Sequence, residues 1–215
     1  MKKRIAIFDF DQTLVNYQTA DDFISYVYNR EKTITAVFLV MFYPLIRFIK
    51  ILSGNRHKKY LLKILTGISK ERLNSFAFDF YHERIKPNLN PTLLNKLETH
   101  KKNGDIIIIV SGSYQLYLNY FCEEFKIKYN VSTKIAFNNG ICQGKIDGID
   151  CMGVHKLTLL KESINLNDID LVNSAVYTDH HSDIYLCKLV GNSNIVYFGQ
   201  DITWTKFLDI NLIRI

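Results

Sequence analysis

Arg4-Ile-Ala-Ile-Phe-Asp-Phe-Asp-Gln-Thr-Leu-Val15 is the stretch from which the rest of this chain can be laid out. Ile5 to Phe8 form an apolar run of buried-strand length, and two carboxylates, Asp9 and Asp11, follow with one residue between them. A buried strand that ends in concentrated negative charge points to a ligand site, because open α/β sheets bind ligands at the carboxyl ends of their strands. Carboxylates this close repel one another unless a cation joins them, and hard oxygen donors favour Mg²⁺. Asp9 and Asp11 therefore read as a metal-dependent reaction centre.

The 215 residues, 47% hydrophobic and 22% charged, suffice for one core domain plus a substantial insertion and exclude a disordered chain. A formal net charge of +6 favours an anionic partner: a phosphorylated metabolite, an anionic lipid surface or nucleic acid. Cys122, Cys142, Cys151 and Cys187 lack CxxC spacing, which argues against a zinc site or a disulfide framework and for a reducing, cytoplasmic setting. Lys2, Lys3 and Arg4 ahead of an apolar run imitate a secretory leader, but Asp9 and Asp11 interrupt that run too early.

Residues 17–87 read as helical throughout. Thr19 and Asp22 have capping-box spacing before a helix that runs through Phe23, Ile24 and Val27 toward Arg30. Ile34 to Leu52 is strongly apolar, yet Pro44 interrupts it, Arg47 and Lys50 charge its second half, and Gly54 and Asn55 close it; this falls short of a spanning helix. Ser69 caps a further helix ending at about Arg84, and Pro87 and Pro91 mark the return. From Asn90 onward helices and strands alternate: a helix to Gly104, a central strand Ile106–Val110, a helix Tyr114–Phe125, and a strand Val131–Phe137 that turns at Asn139-Gly140 into Ile141–Ile146. A helix Lys156–Ile164, a strand Leu171–Tyr177, a short helix Ile184–Leu189 and a last parallel strand Asn194–Phe198 follow. The expected fold is α/β, a doubly wound, mainly parallel Rossmann-like sheet built from residues 1–16 and 88–215, with an all-helical cap, 17–87, inserted after the first strand.

Three of these strands deliver polar residues to one edge of the sheet: Asp9, Asp11 and Thr13; Ser111, Gly112 and Ser113; Thr178, Asp179 and Asp183. Lys156 opens an intervening helix. Asp-Phe-Asp-Gln-Thr, Val-Ser-Gly-Ser, Cys-Met-Gly-Val-His-Lys and Tyr-Thr-Asp-His-His-Ser-Asp, in that order, resemble the haloacid dehalogenase superfamily in its phosphoserine-phosphatase-like branch, and the match covers nearly the whole chain. The resemblance implies a Mg²⁺-dependent phosphatase in which Asp9 attacks phosphorus to form an aspartyl-phosphate, and Asp11 protonates the leaving oxygen and then activates water. It implies that Ser111 and Lys156, with Thr13 and Gly112, hold the phosphoryl group. Asp9, the Asp11 backbone carbonyl and Asp179 would hold the metal, with Asp183 behind them orienting metal-bound water or Lys156. His155, His180 and His181 invite a zinc reading, but adjacent histidines in a loop rarely converge on one ion.

Two positions depart from the family pattern. Gln12 stands where glycine is common, a matter of loop packing. Gln18 stands where phosphoserine phosphatases generally carry a glutamate that pairs with the substrate's amino group, and a neutral amide cannot supply that charge; this argues against phosphoserine itself. The expected substrate is a small phosphomonoester, with a lipid-linked phosphate such as phosphatidylglycerophosphate as the alternative; nucleic acid is not expected. A reading of another class, a non-catalytic module that binds anionic surfaces through the cap, sits badly with the intact carboxylates. Ile34 to Ile46 is uncharged and spans about 20 Å as a helix, short of a hydrocarbon core of about 30 Å. With Arg30, Lys32, Arg47, Lys50, Arg56, Lys58 and Lys59 around it, the segment either packs within the cap or lies peripherally on the inner face of a membrane. The sequence carries no signal of oligomeric state.

Overall fold

In the computed structural model, which describes residues 2–48 and 55–215, β1 (Ile5–Phe8) occupies the centre of a seven-stranded sheet. Ile5 and Ile7 pack on one face of the sheet and Ala6 and Phe8 on the other, all fully buried. A strand apolar on both sides suits a sheet covered on both faces. From β1 the chain leaves the sheet through α1 (Thr19–Arg30), α2 (Ile34–Phe48), α3 (Asn55–Leu62), α4 (Lys70–Phe80) and α5 (Pro91–Lys102), and returns as β2 (Ile106–Tyr114). Then come α6 (Gln115–Glu124), β3 (Tyr129–Asn138), β4 (Ile141–Asp147), α7 (Val154–Ser163), β5 (Ala175–Thr178), α8 (Ile184–Cys187), β6 (Asn192–Tyr197) and β7 (Ile210–Arg214). The strand order is β4-β3-β2-β1-β5-β6-β7, and only the β3–β4 pairing is antiparallel. The expected α/β sheet with a helical insertion between its first two strands is what forms.

Local chemistry sets several boundaries. Asn139 and Gly140 take φ of 46° and 76°, the left-handed pair that a tight hairpin between β3 and β4 demands. Asn90 accepts hydrogen bonds from the Thr92 and Leu93 amides at 3.0 and 3.3 Å, with Pro91 as the first helical residue, so α5 starts there. Ser69 accepts from the Arg72 amide at 3.2 Å and starts α4. The insertion is held down by aromatic packing: Phe23 of α1 lies 5.3 Å from Phe80 of α4 and 5.2 Å from Tyr117 of α6, centroid to centroid. All three are buried, and truncating such a ring to alanine costs about 3–5 kcal/mol.

Four expectations change. Thr19 and Asp22 make no capping box: Thr19 is already helical, Gln18 is the cap position without a side-chain bond, and the Thr19 hydroxyl points to the strand ends instead. Pro44 does not break α2, which continues to Phe48, while the expected roles of Lys50, Leu52 and Gly54 fall outside the described residues. The strand expected over Leu171–Tyr177 shortens to β5, because the Leu171 carbonyl accepts the Ser174 and Gly191 amides and turns the chain. Asn194–Phe198 is not the last parallel strand: β7 adds alongside β6, its Ile210 and Ile213 only partly buried at the sheet edge, a pattern too weak to read as a strand in advance.

Candidate active site

Parallel pairing of β1 with β2 and β5 fixes where the polar ends arrive. Phe8 pairs with Ile109 and Tyr177, and the Asp9 amide still donates to the Tyr177 carbonyl at 2.9 Å, so the chain diverges only after Asp9. Asp9, Asp11, Ser111, Gly112, Lys156 and Asp179 consequently line one cavity of about 300 Å³, with residues of the insertion as its roof.

Lys156 is the cation of the floor. Its Nζ lies 3.0 Å from Asp9 Oδ2 and 2.7 Å from Asp183 Oδ2, and the lysine is almost wholly buried. The Thr178 hydroxyl donates to the same Asp183 oxygen at 2.8 Å. Asp183 does not reach the cavity wall; it fixes the lysine from behind. Thr13 does not reach it either: it is fully buried and its hydroxyl lies 3.4 Å from Asp179 Oδ1, so it props that carboxylate where a phosphate contact was expected. Ser111 is buried at the cavity edge, its Oγ accepting the Ser113 amide at 3.1 Å, and this bond curls Ser111-Gly112-Ser113 into a tight turn within β2, where the register with β3 shifts.

Burial and charge together shift these groups. Burial raises the pKa of Asp9 well above the carboxylate range; Lys156 opposes that rise, and Asp183 and Asp179 add to it. Burial likewise raises Asp11, against hydrogen bonds from Thr19 and Ser113. Asp179 is pushed up to about 6, chiefly by burial, with Asp183 adding repulsion. Asp183 is held below its usual range because Lys156 outweighs its burial, and Lys156 is raised in turn by the two carboxylates, although burial alone would lower it. Asp9, Asp11 and Asp179 thus bring three carboxylates to the cavity against the one ammonium of its floor, an excess of hard oxygen donors that suits a small divalent cation. Among the described residues no three His, Cys, Asp or Glu side chains gather as a cage, and His180 and His181 lie against each other, ring centroids 4.0 Å apart and planes tilted by 42°, instead of converging on an ion. A metal here would draw on two carboxylates and a backbone carbonyl.

Sequence reading passed over the residues that frame this floor. Thr19 donates to Asp11 Oδ1 at 2.6 Å and also bonds Ser113 Oγ at 3.0 Å and Tyr117 OH at 2.7 Å, so the start of the insertion holds the second carboxylate. Asp21, His57 and Lys58 belong to the roof, with His57 Nε2 2.9 Å from Asp21 Oδ2. In the sequence they look like ordinary solvated residues of cap helices.

Residues 6–188 match the haloacid dehalogenase-like hydrolase family, to which this chain belongs. A histidinol-phosphatase of Neisseria meningitidis serogroup C (strain 8013) is 24% identical over 194 residues, covering 87% of each protein. A phosphoserine phosphatase of Methanocaldococcus jannaschii is also 24% identical over 194 residues, covering 88% of this chain and 83% of the relative. A protein of unknown function from Bordetella pertussis Tohama I shares the fold, with a TM-score of 0.76 at 18% identity over 91% of both chains. The protein is a haloacid dehalogenase-like phosphatase of the phosphoserine-phosphatase-like kind.

Proposed function

We propose that this protein hydrolyses a small phosphomonoester through an aspartyl-phosphate on Asp9, with Mg²⁺ held by the Asp9 and Asp179 carboxylates and the Asp11 backbone carbonyl. The observation that carries the reading is Asp9 Oδ2 on the cavity floor, 3.0 Å from the buried Lys156 ammonium, with a second carboxylate two residues on. Asp9 attacks phosphorus, the bond to the alcohol oxygen breaks, and Asp11 gives that oxygen its proton. The bond from Thr19 to Asp11 Oδ1 keeps that group aimed for proton transfer. Water then attacks the aspartyl-phosphate, passing a proton to Asp11, and the break of the Asp9–phosphorus bond releases inorganic phosphate and restores the Asp9 carboxylate and the Asp11 carboxyl. Ser111 and Lys156 offer hydrogen-bond donors to the phosphoryl oxygens throughout. Bound Mg²⁺ supplies positive charge to those same oxygens.

We assign 1–16 and 88–215 to the catalytic core and 17–87 to the cap that selects the alcohol part of the substrate. Gln18 lines the cavity as a neutral amide and disfavours an alcohol whose ammonium needs a carboxylate partner there. A second reading, a lipid phosphate met at a membrane surface, is favoured by the exposure of Ile34, Phe38, Met41 and Phe42, 53–79%, along α2. No helix among the described residues is long and apolar enough to cross a membrane. The test is a panel of soluble and lipid phosphomonoesters assayed with Mg²⁺ and with EDTA: turnover that EDTA abolishes is expected, activity indifferent to EDTA would remove the metal, and no turnover of any phosphomonoester would remove the function.

A further inference from the structure

Lys58 of α3 reaches from the roof of the cavity into the core. Its Nζ donates to the Gly112 carbonyl at 2.6 Å, to Thr133 Oγ1 at 3.1 Å and to Asp150 Oδ1 at 2.5 Å. An ammonium has three protons, so every donor of Lys58 is already engaged. Thr133 is engaged as well: its Oγ1 donates to Asp150 Oδ1 at 2.8 Å and accepts the Cys151 amide at 3.2 Å. Only 12% of the Lys58 side chain and 8% of Asp150's remain exposed. On its other side Gly112 is closed in by Met152, whose Sδ occupies the space a Cβ at Gly112 would need.

A cavity lysine in a phosphatase invites the role of ligand to an anionic group of the substrate. Turning to a substrate would require Lys58 to give up a bond, and the weakest position from which to do so is a buried one. Asp150 Oδ2 already has no partner among the described residues, so withdrawing the ammonium would leave a buried carboxylate without compensation.

We propose that Lys58 is a positioning residue for the phosphate-binding turn, clamping the Gly112 carbonyl from the cap with Asp150 and Thr133 as its anchor, and is not a ligand to the substrate. The proposal rests on the reading that Ser111 and Gly112 hold the phosphoryl group. Because the Ser113 amide bonds Ser111 Oγ across the turn, a shift of the Gly112 carbonyl displaces the Ser111 hydroxyl with it. Seating of the insertion and the geometry of the phosphate turn are thereby one event: when α3 lifts, the turn loses its clamp.

The test uses Lys58→Met, Asp150→Asn, the double variant and Ser111→Ala, each assayed with saturating Mg²⁺ on p-nitrophenyl phosphate, which has no carboxylate, and on 3-phosphoglycerate, which has one and carries no ammonium. Lys58→Met and Asp150→Asn are expected to lower kcat by the same factor, about tenfold or more, on both substrates with KM unchanged. The double variant should be no slower than Lys58→Met and should recover Tm lost by it, since the unpaired carboxylate has gone; it keeps the test open should Lys58→Met fold poorly. A rise in KM for 3-phosphoglycerate alone in Lys58→Met, or wild-type kcat in Asp150→Asn, overturns the proposal while leaving the phosphate turn in place, provided Ser111→Ala is impaired. Wild-type rates in Ser111→Ala overturn both.

Discussion

The floor of the cavity and the outer surface of the insertion hold their charges in opposite ways. On the floor Lys156, 3% exposed, bridges Asp9 and Asp183, whose side chains are 10% and 0% exposed. In the insertion Arg30–Glu83 and Arg72–Glu31 meet at 2.8 and 2.9 Å, but a third to a half of each side chain faces solvent. Exposed pairs contribute about 0–1 kcal/mol, whereas breaking a buried pair costs about 3–5 kcal/mol. The insertion is therefore held by its apolar interior, the Phe23, Phe80 and Tyr117 packing, and its polar surface can vary without loss of the fold. The floor has less latitude, since a single buried ammonium offsets the repulsion among its carboxylates.

The sharpest way to break this contrast is Asp9→Asn. The fold should survive, because Lys156 keeps Asp183 as a partner at 2.7 Å, while turnover should fall on the order of 10⁴-fold or more, read as product release against an unchanged Tm. Wild-type-like rates would remove Asp9 as the nucleophile. The second test sets one cation against another element's anion: Lys156→Met should cost about 3–5 kcal/mol in denaturant unfolding, and Glu31→Gln less than about 1 kcal/mol. Equal losses would erase the distinction between floor and insertion.

A smaller effect is expected from pH in the metal-free protein. The carboxyl of Asp179 is raised in the fold from 3.8 to about 6, so the native state binds its proton more tightly than the unfolded chain. Its contribution to stability is full below about pH 4 and is lost as pH rises through about 6, an effect of about 3 kcal/mol. Asp9, Asp11, Asp183 and Lys156 face the same group, so the readout is the difference between wild type and Asp179→Asn, whose unfolding free energy should fall less steeply between about pH 4 and about pH 6. Parallel curves for the two proteins would contradict the raised carboxyl. Smallest of all is the effect of replacing Phe38, Met41 and Phe42 by Ser on α2: kcat on a soluble phosphomonoester should not change, while salt-sensitive cosedimentation with anionic liposomes should be lost. A parent protein that ignores liposomes at low salt would dispose of the membrane reading.

Legibility in the sequence followed burial. β1 and β2 were readable because they are apolar on both faces, and the β3–β4 turn because Asn139-Gly140 has few other uses. β7 was not readable, as an edge strand with half-exposed side chains carries little periodic signal. The carboxylate pair, Ser111, Lys156 and Asp179 stand out because each follows an apolar strand or opens a helix, and the strand register then gathers them around one cavity. Thr13 and Thr19 changed places in effect: the threonine expected at the phosphate props Asp179, and the one expected to cap a helix holds Asp11.

By itself, the sequence determined the order of elements as far as β6, the sheet at the centre and the chemical kind of the residues at its strand ends, because these depend on local apolar runs and on turn chemistry. Only the tertiary structure decided which side chains touch. That Lys58 bonds Gly112 across 54 residues and Asp150 across 92, with no donor left over, follows from how α3 seats on the hairpin and the phosphate turn. Contacts of that range are set by packing geometry, which no pattern of neighbouring residues encodes.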